Sequence, residues 1–192
     1  MRLIGKYLLV VVAGLCLGLL TTVVAVRTGF GFGALEAGPW TAYPRRDGIR
    51  VDPYARAARA HSGEIPPGAT EGLSFLAFAD SDGRALETRC DYRVSGPTPV
   101  ARWWTLSALT PDGRPFANAA ERYGFVSSEM LRDGAGRFAI TLSRRARPGD
   151  WLPLGETRHF ALMLRLYESE FSAAHAAYDA ASMPRIERTA CA

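Results

Sequence analysis

Hydrophobic and polar positions fall into three successive patterns along the chain. From Tyr7 to Val26 there are 20 residues without a charge. A helix of that length reaches about 30 Å, the hydrocarbon thickness of a bilayer. Val23 and Ala25 could serve as the small residues before a signal cleavage site. The run nevertheless exceeds the usual signal core of about 7 to 15 residues and lacks a polar cleavage region, so it reads as an uncleaved transmembrane helix. Leu15, a large residue, precedes Cys16, which closes the lipoprotein route.

The second pattern, Thr28 to Pro39, places Gly29, Gly31, Gly33 and Gly38 around Phe30 and Phe32. It reads as a flexible exit linker with interfacial aromatics. No strand precedes these glycines and no Lys-Ser or Lys-Thr follows them, which excludes a phosphate-binding loop. Further on, Asp52 as a cap, Pro53 at the first helical position and the Ala-rich run Tyr54 to His61 predict one short helix.

From Gly72 the period becomes two. Strands are predicted at Leu73 to Ala79, Leu86 to Val94, Arg102 to Thr110, Tyr123 to Ser127, Phe138 to Ser143 and His159 to Tyr167. Turns at Ser81-Asp82-Gly83, Pro111-Asp112-Gly113 and Asp133 to Gly136 separate them. In the second strand Leu86, Thr88, Cys90, Tyr92 and Val94 share one face, while Glu87, Arg89, Asp91 and Arg93 share the other. Phe160, Leu162, Leu164 and Leu166 form the inner row of the last. Ser172 to Ser182, rich in Ala, predicts a brief second helix before Pro184. Short strands at regular spacing point to a mainly β fold, an antiparallel jelly-roll-like β sandwich preceded by one N-terminal transmembrane helix. The organisation expected is a cytoplasmic N-terminus over 1–6, the span over 7–26, a linker over 27–39 and the β domain over 40–192.

Charge fixes the orientation expected of the span. Arg2 and Lys6 precede it and Arg27 follows, so the N-terminus should stay in the cytoplasm and the β domain should reach the periplasm from the inner membrane. The 23 basic and 19 acidic residues give +4. Without Arg2 and Lys6 the remainder holds 21 against 19, interleaved, which argues against nucleic acid. Within the span Gly14 and Gly18 stand four apart, the spacing of close helix association, which would allow a homo-oligomer; two unrelated small residues facing lipid give the same pattern.

Cys90 and Cys191 are the two thiols outside the span. In an oxidising compartment they can form one bridge that ties down the tail; the alternative is a buried, inert Cys90 and a free Cys191. His61, His159 and His175 are far apart and no C-x-x-C occurs, so neither a metal site nor a cofactor is expected.

Nucleophile elbows, zinc-protease helices and dinucleotide fingerprints are absent from the sequence. Ser62 or Ser74 with a histidine could be assembled into a triad only in space, and nothing in the sequence selects one. The pairs Asp80 with Asp82 and Asp91 with Asp112 suit turns and a wet strand face better than glycoside hydrolysis. Aromatic and guanidinium groups make the better candidate surface. Trp103 and Trp104 point to opposite sheet faces, so one can fill the core while the other stacks on a ligand. Arg165 interrupts an aliphatic row on the face carrying His159, Met163 and Tyr167, where it could recognise a carboxylate, phosphate or sugar, or simply cover apolar surface with its stem and pair with Glu168 or Asp150. The candidate binding set is Trp104, Arg122, Tyr123, Trp151, Arg165 and Tyr167. Arg144, Arg145 and Arg147 form a local basic cluster that suits anionic lipid or polymer, or simply a solvated hairpin end.

From Trp40 to Cys191 the sequence resembles a bacterial family, domain of unknown function 1214. The segments that carry the resemblance are Asp52-Pro53-Tyr54-Ala55-Arg56-Ala57, Glu71-Gly72-Leu73, Trp104-Thr105-Leu106, Asn118 with Arg122-Tyr123-Gly124, Pro148 to Pro153, and Leu162 to Tyr167. The resemblance implies a small envelope protein with one N-terminal membrane helix, a jelly-roll-like sandwich and a cysteine near the C-terminus. It also implies a companion from domain of unknown function 1254. Asp150 stands where relatives tend to have Asn, and Ser107 to Thr110 replace the usual residues after Trp-Thr-Leu. Together these readings favour a non-catalytic protein that binds a partner or envelope ligand; a hydrolase or lyase acting on envelope glycan or lipid is the alternative.

Overall fold

The computed structural model describes residues 2–28, 35–42, 72–98, 101–168 and 180–191. The predicted helix over Tyr54 to His61 lies outside these residues, as do the Asp52 to Ala57 and Glu71 positions. So does most of the predicted Ser172 to Ser182 helix, of which only the final turn over 180–182 is described.

Helix α1 runs Arg2–Thr28, and its segment Ile4–Ala25 is long and apolar enough to cross a membrane. None of that segment packs against the rest of the chain, which is consistent with membrane anchoring. Polar groups inside it are satisfied locally. Thr21 Oγ1 donates to the carbonyls of Leu17 and Gly18 at 3.0 Å, and Thr22 Oγ1 to that of Gly18 at 2.8 Å. Around Gly14 and Gly18 the surface is open.

Ten strands follow: β1 Leu35–Ala37, β2 Trp40–Ala42, β3 Gly72–Ala77, β4 Cys90–Gly96, β5 Trp103–Leu109, β6 Gly124–Val126, β7 Phe138–Ser143, β8 Trp151–Pro153, β9 Ala161–Tyr167 and β10 Arg185–Cys191. They form a six-stranded sheet in the order β1-β2-β3-β9-β5-β6 and a four-stranded sheet in the order β10-β4-β7-β8. Pairing is antiparallel except for β7 and β8, which run parallel.

The predicted alternation decides which side chains lie between the sheets. Phe138, Ile140 and Leu142 are buried from β7, and Leu162, Leu164 and Leu166 from β9. Each contributes about 1.5–3 kcal/mol by leaving water. The layers meet through rings, Trp104 against Phe138 at 4.9 Å and Tyr92 edge-on to Phe160 at 5.5 Å.

Three expectations are corrected. Leu35–Ala37 is a strand of the larger sheet, so the linker predicted over 27–39 ends earlier. Two three-residue strands joined through Gly38, at φ 62, leave no periodicity long enough to read. The strand predicted from Leu86 is broken by a turn, with Cys90 N–H donating to the Glu87 carbonyl at 3.1 Å, and β4 begins only at Cys90. Leu86 and Thr88 still bury with Cys90 and Tyr92, because the Thr88 hydroxyl donates to the Thr157 carbonyl and spares the turn an unsatisfied polar group. Finally, the chain after Tyr167 holds a strand, β10, as well as the predicted helix region; periodicity does not reveal it because Ile186 is its one large aliphatic residue, and the three-residue β8 is likewise too short to read.

Candidate functional site

The six candidate residues occupy three places. Trp104 is 3% exposed and lies in the core, while Trp103 on the opposite face is 42% exposed. The tryptophan available to a ligand is therefore Trp103, a correction to the sequence reading. A signal for this exists in the sequence, since Leu106 and Ala108 share the phase of Trp104 and draw it inward.

Arg122 and Trp151 come together where the two sheets meet, with Tyr123 next to Arg122 in the chain. Asn118 organises the loop before β6, donating from Nδ2 to the Phe116 and Arg122 carbonyls and accepting from Arg122 N–H, all at 3.1 Å. The Arg122 guanidinium sits 5.4 Å from the Phe125 ring centre and donates from Nη1 to the Trp151 carbonyl at 2.9 Å. Trp151 Nε1 in turn donates to the Ser143 carbonyl at 3.0 Å. Arg122, in the loop before β6 of one sheet, is thus engaged as a clasp to β8 of the other, and Tyr123 beside it is 48% exposed. Asp150 has a structural task as well, because its Oδ2 accepts from Leu131 N–H at 2.9 Å.

Arg165 and Tyr167 lie on the outer face of the larger sheet, where strand register sets up rows. Gly72, Tyr167 and Trp103 form one row across β3, β9 and β5; Ser74, Arg165 and Thr105 form the next. The rings of Trp103 and Tyr167 are 6.0 Å apart. At the rim the Arg102 guanidinium lies 5.4 Å over Trp103, and its Nη1 donates to Glu168 Oε2 at 2.8 Å. Arg165 Nε and Ser74 Oγ are both buried, and neither has a hydrogen-bond partner among the described residues. Such groups are costly to leave unpaired, each about 1–3 kcal/mol and more where charged. The two unpaired donors thus lie in one cross-strand row, next to the row that carries the Trp103 and Tyr167 rings.

Cys90 and Cys191 are disulfide-bonded, 101 residues apart, at paired positions of β4 and β10. The C-terminal strand is held by further bonds: Trp40 Nε1 donates to the Pro184 carbonyl at 2.7 Å, and Ile186 N–H to Ser81 Oγ at 2.9 Å. Arg188 reaches inward over Tyr92, 5.5 Å from its centre, toward Asp80.

Titration shifts fall on groups outside the Arg165 row. Burial raises the Tyr92 phenol, opposed by the Glu87 N–H that its oxygen accepts at 2.9 Å. Hydrogen bonds lower three carboxylates: Arg89 acts on the half-buried Glu87, the Thr110 hydroxyl on Asp112 and the Arg137 N–H on Asp133. Among the described residues no group of three or more His, Cys, Asp or Glu could hold a metal ion. His159 is paired by its backbone with Glu87; His61, His175 and Ser62 lie outside the described residues.

Among solved structures the chain resembles the VPA0106 protein from Vibrio parahaemolyticus, at 21% identity and a TM-score of 0.56, over 73% of this chain and 36% of that one. It also matches an uncharacterised protein from Burkholderia cenocepacia, at 18% identity and a TM-score of 0.43, over 65% of this chain and 31% of that one. The first likeness shows the fold, and the chain spans about a third of the length of either structure. Curated protein sequences give no match. Residues 71–171, which hold β3 to β9 and the whole Arg165 row, match the family described as Protein of unknown function (DUF1214), and the chain belongs to that family.

Proposed function

We propose that this chain is a membrane-anchored, non-catalytic binding protein of the bacterial cell envelope. Its ligand surface is the outer face of the six-stranded sheet. The observation that carries the reading is the row of Ser74 and Arg165, whose Oγ and Nε are buried without an acceptor among the described residues. A guanidinium in that position recognises a carboxylate or phosphate, and Trp103 with Tyr167 offers a stacking wall beside it. The ligand is an acidic group of an envelope glycan or of a partner protein. A companion from domain of unknown function 1254 is the partner this reading favours.

Arg2 and Lys6 before the span support an inner-membrane, single-pass topology with the β domain in the periplasm, and a disulfide suits that oxidising compartment. Within this reading the two sheets form a jelly-roll-like sandwich.

The test is capture of the full chain through a C-terminal tag from gently solubilised envelopes, with mass spectrometry of proteins and small molecules. Wild type is compared with Arg165→Gln and Trp103→Ala. A stoichiometric companion or acidic glycan lost in both variants supports the reading. Recovery of the chain alone, with turnover of envelope glycan or lipid by the purified protein, replaces it with the hydrolase or lyase reading.

A further inference from the structure

A second basic feature lies on the other sheet. The segment Arg144 to Asp150 connects β7 to β8, and because these strands are parallel it must fold back on itself rather than turn as a hairpin. Ser143 Oγ, which is buried, accepts Arg145 N–H at 3.1 Å and fixes the start of the return; Gly149, at φ 79, permits its end. The loop thereby contributes three arginines to the lining of a cleft of about 460 Å³. Arg89 from the turn before β4, Asp91, and Cys191 of the disulfide also line it.

Most of this positive charge is held in place by neighbours. Arg89 pairs with Glu87, Arg144 Nη2 lies 3.1 Å from Glu156 Oε1, and Arg147 Nη2 pairs with Asp91. Arg145 pairs with no carboxylate among the described residues; its backbone is anchored while its guanidinium is uncommitted. Arg144 and Arg147 each spend one terminal nitrogen on a carboxylate and stay about half exposed, which leaves further donors on each guanidinium.

We propose that this cleft binds a phosphoryl group borne by a larger molecule, with Arg145 as its principal contact. One guanidinium would satisfy a carboxylate. Spare donors on Arg144 and Arg147 match the third free oxygen of a phosphate monoester. The volume falls in the range of about 300–1,000 Å³ typical of small-molecule sites, which leaves room for the group that bears the phosphate. A phosphatidic acid headgroup and a soluble phosphate monoester present the same chemistry, and the experiment separates them.

The full chain in neutral detergent is titrated calorimetrically with glycerol 3-phosphate, and separately with short-chain phosphatidic acid doped into the micelles. Arg145→Gln, Arg145→Lys and a distant control, Arg114→Gln, are compared with wild type, each checked for an intact disulfide and unchanged circular dichroism. Saturable binding that weakens at least tenfold in Arg145→Gln, is partly restored in Arg145→Lys and is unchanged in Arg114→Gln supports the site. Binding of the soluble ester supports a free phosphate ester as ligand; binding of the lipid alone supports a headgroup. Absence of saturable binding to either probe overturns the proposal. So does equal weakening in Arg145→Gln and Arg114→Gln, which would reduce the effect to net charge.

Discussion

Arg188 Nε lies 3.3 Å from Asp80 Oδ2, and the side chain of Asp80 has no exposed surface. The contact is off the line of a hydrogen bond, since Arg188 Nε has no hydrogen-bond acceptor among the described residues. The carboxylate is satisfied elsewhere, accepting from Asp82 N–H at 3.1 Å, Arg84 N–H at 2.9 Å and Arg84 Nε at 3.1 Å. One buried acid therefore closes the turn after β3 and faces the guanidinium of β10. Removing one partner of a buried pair costs about 3–5 kcal/mol, whereas replacing both is far milder. Asp80→Ala should lower unfolding stability in urea by about that amount. Asp80→Ala with Arg188→Met should lose less than the two single changes added, which a double-mutant cycle measures.

Cys191 is exposed, so Cys191→Ser removes the bridge without opening a cavity in the core. Disulfides typically contribute about 2–4 kcal/mol, and long loops lie at the upper end on the chain-entropy view. The variant should unfold at lower denaturant by a corresponding margin. Reduction of wild type should reproduce the loss and leave the variant unchanged.

Tyr92 supplies a pH prediction. Burial raises its phenol above the ordinary value of 10.0, so the folded state holds the proton more tightly than the unfolded state. The stability gained is complete below the unfolded value and is lost as pH rises through the folded one. Tyr92→Phe should cost about 1 kcal/mol at neutral pH, because Glu87 N–H loses its acceptor. Above about pH 10 the gap between variant and wild type should narrow, since only wild type carries the alkaline loss at this position. Chemical denaturation over a pH series measures both.

Gly72 sits against the neighbouring strand so closely that a Cβ there would stand 2.1 Å from the Leu166 carbonyl oxygen. That atom belongs to backbone and cannot swing away. Gly72→Ala should destabilise by about 1–3 kcal/mol through forced strand displacement. Gly134→Ala, where a Cβ meets open space, should be nearly silent in the same melt.

Phe138–Ser143 is legible to the residue because its apolar positions alternate strictly and its inner side is wholly buried. The rows over Leu162, Leu164 and Leu166 follow from the same rule. By contrast, β10 is held by Arg188, the disulfide and hydrogen bonds to Ser81 and from Trp40, and none of these leaves a periodic trace. Arg165 was legible as an interruption of an aliphatic row, but Ser74 beside it required knowing that β3 pairs with β9. The parts of Trp103 and Trp104 were decided by the phase of Leu106 and Ala108. The family motifs around Gly72, Gly124 and Asn118 find their reason in packing: glycines where backbones meet and an asparagine that ties a loop.

The bond from Trp40 to the Pro184 carbonyl joins residues 144 positions apart. A ribosome adding about 5–20 residues each second makes Trp40 well before its acceptor exists. Until then the first hairpin lacks its buried anchor, Asp80 faces no Arg188, and Cys90 has no thiol to oxidise with. Folding of this domain is therefore bound to be a late event in biosynthesis, and a chaperone or export factor that shields the nascent segment would have several seconds in which to act.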